Sequence, residues 1–146
     1  MIELVVVGAH MTGLPLNAEL VAAGGVLRRP VRTAPHYRLY ALPGGPPRRP
    51  GLLRVSHGGA MGEVGTERGP GASIEAELWA LPPDGWARVV SGIPAPLCVG
   101  TVLLDDGAAP KGFLAEADGL VAALEITEFG GWRAYLASLQ AKGEVA

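Results

Sequence analysis

Short apolar runs separated by glycine and proline dominate the pattern of hydrophobic and polar positions. Residues 2–7 are almost entirely apolar and rich in β-branched side chains, which is typical of a central strand buried on both faces. Residues 37–41 and 74–81 alternate in polarity, as strands with one face in the core do. The pattern predicts further strands at residues 26–32, 52–55, 99–104 and 110–114. The last two flank Asp-Asp-Gly, a strong turn signal, and so predict a hairpin.

Helix signals fall into four segments between these runs. In the first, Thr12 is a candidate N-cap, Leu16, Leu20 and Val21 share one helical face, and Gly24-Gly25 ends the helix. The other predicted helices cover residues 83–90, 115–124 and 131–141. About six strands and three or four helices without regular alternation indicate an α+β protein rather than a doubly wound parallel sheet. We therefore expect a small mixed β-barrel with peripheral helices, forming a single domain over residues 1–146.

Two segments qualify this picture. Pro30 interrupts the apolar run at residues 26–32, so a strand there is expected to break. Residues 57–71 are rich in glycine and poor in large apolar side chains. Ordering such a segment costs much conformational entropy and buries little apolar area, so we expect an exposed and mobile loop.

Composition excludes several classes of function. The net charge is −2, and the 12 basic residues are scattered, so nucleic acid is not an expected partner. No apolar run approaches the length of a membrane span, and no secretion signal is visible, so we expect a cytoplasmic protein without membrane contact. The single cysteine, Cys98, cannot form an internal disulfide and is expected to be a small buried hydrophobe.

Seven stretches in the same order resemble the C-terminal domain of allophanate hydrolase, which also occurs in urea amidolyases. They read GAHMTGLPLN, RTAPHYRLYAL, RPGLLRV, IEAELWALP, GIPAPLCVGTVLLDDG, KGFLAE and FGGWRAYL, and together they cover nearly the whole chain. The resemblance implies a γ-glutamyl cyclotransferase-like fold. It also implies a small dianionic substrate, N-carboxycarbamate, whose decarboxylation the domain would aid without any cofactor. The Ser-cisSer-Lys signature of the family's amidase is not among these residues, so amidase activity is not expected.

The turn after the first strand is the strongest candidate site. Backbone N–H groups at a strand-to-helix turn converge on one point and favour an anion, and small residues leave it accessible. We expect Gly8, Ala9, Met11, Thr12 and Gly13 to bind substrate there. His10 is the candidate catalytic residue, because a carbamate needs a proton on its departing nitrogen. A turn histidine facing a solvated pocket is expected to contribute little to stability.

Other candidate substrate-binding residues come from later strands. Arg32 or Arg38 would hold a carboxylate in a bidentate manner, and Tyr40 would offer a hydroxyl from the same barrel mouth. Glu75 and Glu77 lie two apart in a strand and so face the same side, where paired carboxylates suit acid–base chemistry. Lys111 would neutralise an anion. His10, His36 and His57 show no metal-ligand spacing, and no metal is expected.

These observations leave three functions open. The first is a ligand-handling domain or enzyme that performs a decarboxylase step in the breakdown of urea and allophanate. The second is a non-catalytic module that docks onto a separately encoded amidase, since an apolar fraction of 49% leaves room for an exposed patch. The third is γ-glutamyl cyclotransferase chemistry, but Ser91 occupies the place of that family's catalytic glutamate, and a serine does not replace a carboxylate in proton transfer.

Overall fold

The computed structural model of the protein describes residues 1–55 and 71–143. The described strands are β1 (Ile2–Val6), β2 (Val26–Arg32), β3 (Tyr37–Ala41), β4 (Pro50–Arg54), β5 (Glu75–Leu81), β6 (Leu97–Thr101), β7 (Lys111–Ala115) and β8 (Leu124–Glu125). The α-helices are α1 (Asn17–Ala22), α2 (Pro83–Ser91) and α3 (Trp132–Ala141), with 3₁₀ turns at Ala117–Leu120 and Thr127–Phe129. Most of the glycine-rich segment at residues 57–71 lies outside the described residues.

The described strands form two sheets, which do not support the predicted small mixed β-barrel. A five-stranded sheet has the order β2-β5-β1-β7-β6, and a three-stranded sheet has the order β4-β3-β8. In the larger sheet β1 runs parallel to β7, whereas the other neighbours are antiparallel. The predicted α+β class is confirmed, with a helix soon after β1 and another near the end of the described chain.

The first strand lies at the centre of the larger sheet, as its apolar sequence predicts. It pairs with β5 on one side and β7 on the other, so each of its edges is covered by backbone hydrogen bonds. Leu4, Val5 and Val6 have no exposed surface. The main core extends from these side chains to Trp132 on α3, which is 1% exposed, and to Tyr37 on β3. This packing fixes the end of β1, where the predicted site begins.

Two details of the first third of the chain differ from the sequence pattern. Pro30 does not end β2, which is an edge strand, where a proline is tolerated. The register of β2 against β5 shifts just before it, between Leu27 and Arg29. The first helix begins at Asn17, and its N-cap residue is Leu16, without a side-chain cap. Thr12 is therefore not the cap, and Val21, expected on the buried face with Leu20, is 57% exposed.

The segment predicted as a helix at residues 115–124 is mostly not α-helical. It contains the end of β7, a 3₁₀ turn and the start of β8. Gly119 packs so closely on Pro96 that a Cβ atom would lie 2.2 Å from the proline ring, so the turn is held by a contact distant in sequence. Apolar spacing alone does not reveal such a contact. None of the helices in the described ranges is long and apolar enough to cross a bilayer.

The close pairing of β1 with β7 yields a matched pair of substitutions, because Gly112 on β7 faces Gly100 on β6. A Cβ at Gly112 would lie 2.7 Å from Val5 Cβ and 2.8 Å from Val5 O, neither of which moves without shifting β1. A Cβ at Gly100 would meet the flexible end of Leu114 at 2.7 Å. We predict that Gly112→Ala lowers the free energy of unfolding by about 1–3 kcal/mol in denaturant titrations.

The control, Gly100→Ala, is expected to change the free energy of unfolding by less than about 1 kcal/mol, because Leu114 adopts another rotamer. Equal losses in the two variants would show that the spacing between β1 and β7 is not the constraint.

Candidate functional site

The turn after β1 is held by contacts within the chain itself. The Met11 N–H donates to Gly8 O at 2.9 Å, and the Leu16 N–H donates to Ala9 O at 2.8 Å. A Cβ on Gly8 would lie 2.3 Å from Pro50 Cδ at the start of β4. The absence of a side chain at Gly8 therefore admits Pro50, whereas the sequence suggested that it admits a ligand. This contact brings β4 against the turn.

Thr12 binds an internal carboxylate. Its backbone N–H donates to Glu77 Oε1 at 2.8 Å, and its hydroxyl lies 3.1 Å from the same oxygen. The Trp79 indole N–H donates to that oxygen as well, at 3.0 Å. The turn was predicted to bind an anion, and at Thr12 the anion that it binds is the carboxylate of Glu77 on β5. Met11 is fully buried in the core, and neither Met11 nor Thr12 nor Gly13 lines the cavities at His10 described below.

Arg133, near the start of α3, completes this cluster and was not identified from the sequence. Its Nη2 donates to Glu77 Oε2 at 3.1 Å and to Thr12 O at 2.7 Å. Its Nη1 donates to Glu75 Oε2 at 3.2 Å. The shared partner confirms that Glu75 and Glu77 face the same side of β5. An arginine at the start of a helix carried no distinguishing sequence signal, because its partners lie more than 50 residues away.

Hydrogen bonds keep Glu77 ionised although it is only 6% exposed. Burial by itself would raise the pKa of this carboxyl, but donors from Thr12, Trp79 and Arg133 outweigh it and hold the pKa below its ordinary value of 4.5. The backbone of Thr12 is bonded on both sides: its N–H donates to Glu77, and its carbonyl accepts from Arg133. We call Thr12, Glu75, Glu77 and Arg133 the clamp.

His10 is buried rather than facing a solvated pocket. It is 5% exposed, and its ring centroid lies 5.4 Å from that of Phe113. Its Nε2 lies 3.0 Å from Glu19 Oε1, so Nε2 carries a hydrogen, and Asn17 donates to the His10 carbonyl at 3.0 Å. Burial lowers the pKa of His10 below 6.5, opposed by Glu19 and assisted by the positive charge of Arg49. This environment favours the neutral imidazole at pH 7. The burial of the ring also indicates that His10 contributes to stability, whereas the sequence led us to expect little contribution.

His10 lines a small cavity that shares two lining residues with a larger cleft. The small cavity, of about 20 Å³, is lined by Val7, Gly8, Ala9, His10, Arg49, Pro50, Leu97 and Phe113. The larger cleft, of about 520 Å³, is lined by residues 42–47, 94–96 and Gly119 together with Arg49 and Leu97. Arg49 and Leu97 thus line both. The small cavity has room for about one water-sized group, so most of a larger ligand has to lie in the cleft.

The remaining predicted residues lie elsewhere. Arg32 and Glu75 line a separate cleft of about 330 Å³ beside Arg133, and Arg32 also donates to Ser73 O at 2.8 Å. Arg38 forms an ion pair with Glu125. Tyr40 is 5% exposed and packs in a second apolar cluster with Leu42, Ala115 and Leu120.

Lys111 Nζ donates to Thr101 on the neighbouring strand at 3.1 Å. The expectation that Arg32, Arg38 and Tyr40 border the pocket of His10 is therefore not met. Arg49, which the sequence analysis did not select, provides the guanidinium there.

Two further expectations concern groups outside this cavity. Within the described ranges, no three residues among His, Cys, Asp and Glu are grouped so as to hold a metal ion. Ser91, which takes the place of the cyclotransferase glutamate in the sequence comparison, is the last residue of α2 and is exposed. Ser91 is not among the residues that line the cavity at His10.

The described strands and helices form a two-sheet α+β domain. An uncharacterised protein from Pyrococcus horikoshii has the same fold at a TM-score of 0.65 and 15% identity. The sequence matches the allophanate hydrolase C-terminal domain over residues 2–137, and the chain belongs to that family. The resemblance found in the sequence is thereby confirmed.

Relatives of the family differ greatly in length. The urea amidolyase of Saccharomyces cerevisiae is 36% identical over 144 residues, which are 97% of this chain and 7% of the yeast protein. The structure of Kluyveromyces lactis allophanate hydrolase matches with a TM-score of 0.84 at 34% identity, covering 95% of this chain and 21% of that one. A uropathogenic E. coli-specific protein, c4763, matches at 0.79 and 35% identity over 93% of this chain and 95% of its own.

The clamp yields a prediction about stability. Glu77→Gln keeps the shape of the side chain but removes the charge that Thr12, Trp79 and Arg133 stabilise. We predict a loss of about 1.5–3 kcal/mol in the free energy of unfolding at pH 7. Glu75→Gln is the matched control, because Glu75 shares Arg133 but is 37% exposed, and its loss is expected to stay below about 1 kcal/mol. Equal losses in the two variants would show that the buried charge of Glu77 contributes no more to stability than the exposed charge of Glu75.

The pH dependence of the same variant tests the charge itself. Because the pKa of Glu77 in the folded protein is lowered from 4.5, its ionised form contributes stability that is fully present above pH 4.5. That contribution is lost as the pH falls through the lowered pKa. The difference in unfolding free energy between the native protein and Glu77→Gln is therefore expected to be constant from pH 5 to 7 and to shrink below pH 4.5. A constant difference down to pH 2 would refute the charge effect.

Proposed function

We propose that this domain binds a small carboxylated nitrogen compound in the cleft next to the small cavity of His10 and aids its decarboxylation. The observation that carries the proposal is the position of Arg49, which lines both the open cleft and the small cavity against His10. A guanidinium presents paired N–H donors that match a carboxylate. The cleft thus offers a binding group for an anion directly beside a histidine.

Family membership supports the chemical class of the ligand. The relatives are a urea amidolyase and an allophanate hydrolase, and an amidase acting on allophanate releases N-carboxycarbamate, a small dianion. This chain spans 7% of the yeast urea amidolyase, so the activity of that whole protein is not transferred to it. The cleft and Arg49, which lines it, are compatible with one step that follows the amidase.

The proposed step needs one proton. It is delivered to the nitrogen of the dianion, the C–N bond breaks, and the electron pair of that bond stays on the nitrogen, which yields carbamate and CO₂. His10 is neutral at pH 7 in the free domain because burial and Arg49 lower its pKa. A bound dianion offsets both effects and favours the imidazolium, which takes its proton from solvent. Glu19 orients the ring through Nε2.

Two adjacent arginines allow a controlled test of binding. Arg49→Gln removes the charge at the cleft, whereas Arg48 is exposed and lines neither cavity. We predict that Arg49→Gln weakens binding of malonate, a stable dianion of similar shape, by about ten- to a hundredfold in calorimetric titrations, the loss of one charge-assisted bond. Arg48→Gln is expected to bind within about twofold of the native domain. Equal effects of the two substitutions would locate the anion elsewhere.

The role of His10 is tested by turnover. A separate allophanate amidase supplies the dianion, and the rate of CO₂ release is followed with and without this domain. We predict that the native domain accelerates release, and that His10→Asn lowers this acceleration at least tenfold while malonate still binds, because general acid catalysis contributes about 10²–10⁴. His10→Asn also loses stability, so its folding is checked by circular dichroism. Full acceleration by a folded His10→Asn protein would exclude the proposed role.

A docking role is the second candidate. In the yeast relative the homologous segment belongs to a much longer chain, so the domain there has neighbouring domains. Val121, directly after the 3₁₀ turn at Ala117–Leu120, is 87% exposed, and Leu124, the first residue of β8, is 62% exposed. Exposed apolar side chains suit a partner surface. Co-elution with an amidase that is abolished by Val121→Asp, with unchanged CO₂ release by the isolated domain, would favour docking over decarboxylation.

A further inference from the structure

The larger cleft is more spacious than a bare dicarboxylate requires, and apart from Arg49 the side chains that line it in the described ranges are apolar. We propose that it accepts an amphipathic carboxylate, in which the anionic head lies at Arg49 and an apolar substituent of several carbons lies along the proline walls. The inference rests on the proposed function for the position of the head. It adds that the part of the ligand beyond the anionic head is apolar.

Size is the first argument. At about 520 Å³ the cleft falls within the range of about 300–1,000 Å³ that is usual for sites that enclose whole cofactors or drug-sized ligands. Malonate and N-carboxycarbamate each have seven non-hydrogen atoms and leave most of this space filled by water. The small cavity beside His10 takes only about one water-sized group, so the unoccupied space lies on the side of the cleft away from His10.

The chemistry of the walls is the second argument. One wall is the segment from Leu42 to Pro47, and the other is the segment from Pro94 to Leu97. Prolines occur on both walls, at Pro43, Pro46, Pro47, Pro94 and Pro96. Their rings present apolar surface with no N–H donor, and each proline fixes its own backbone φ, while Gly44 and Gly45 lie among them on the first wall. An apolar group that packs against these rings is removed from water, which is favourable.

The charge distribution is the third argument. Arg49 is the charged residue among those that line the cleft in the described ranges, and it lies at the junction with the cavity of His10. A ligand that matches this distribution has one anionic end and one apolar end. A second charge at the far end of a longer ligand, beyond the head held at Arg49, would lie against proline rings, where no lining side chain in the described ranges neutralises it.

Alkylmalonates test this directly, because the head stays constant while the apolar substituent grows. We predict that affinity rises from malonate through methyl- and ethyl- to butylmalonate, by about two- to fourfold per methylene, as expected for partial to full burial of each group. Calorimetric titration at fixed pH and salt measures each dissociation constant. Arg49→Gln is expected to weaken every member of the series by a similar factor, because the head is common to all.

A blocking substitution locates the substituent. Ala95 is exposed and lines the cleft, so Ala95→Phe adds a ring at its wall, whereas Ala87 on α2 is exposed and does not line it. We expect Ala95→Phe to abolish most of the gain of butylmalonate over malonate and to leave malonate itself within about threefold. Ala87→Phe is expected to leave both affinities unchanged.

The outcomes separate this inference from the proposed function. If malonate binds through Arg49 and butylmalonate binds no more tightly, the proposed function stands and the amphipathic ligand is excluded. A gain that survives in Ala95→Phe would also overturn the inference, since the substituent would lie outside the cleft. If neither compound binds, or if binding is indifferent to Arg49, both proposals fail.

Discussion

The carboxylate of Glu77 is the group on which the geometry of the site depends. It is buried in the middle of the larger sheet, and a buried charge is tolerated only when its oxygens are bonded to donors. Those donors come from three separate parts of the chain: the turn at Thr12, the same strand at Trp79 and the third helix at Arg133. One charge therefore joins the first turn, the fifth strand and the last described helix. His10 lies in the same turn, two residues before Thr12.

A second constraint arranges the cleft, and it consists of glycines packed against prolines. Gly8 admits Pro50, which places the preceding Arg49 beside the turn, and Gly119 admits Pro96 on the opposite wall. In both places a Cβ atom would collide with a proline ring. The small residues of the first turn thus serve the packing of the chain on itself. The binding group that results, Arg49, comes from a different segment than the turn that the sequence analysis selected.

Much of the fold was predictable because it follows from local patterns. The central strand β1, the alternating strands β3 and β5, and the hairpin around Asp-Asp-Gly all agree with the structure within a few residues. The closure of the strands into a barrel was predicted wrongly, since which strands pair is decided by distant contacts. Arg49 and Arg133 escaped detection for the same reason. Their partners are close in space and far along the chain, and single arginines in a sequence carry no signal of this.

The central claim is that an anion held at Arg49 acts on His10, and the ionisation of His10 reports on this directly. Two-dimensional ¹H–¹⁵N NMR of the imidazole ring across a pH titration gives its pKa with and without saturating malonate. The account predicts a pKa below 6.5 in the free domain and a clear rise when malonate binds, because the dianion offsets the effects of burial and of Arg49. A pKa that does not change when malonate is demonstrably bound would contradict the account.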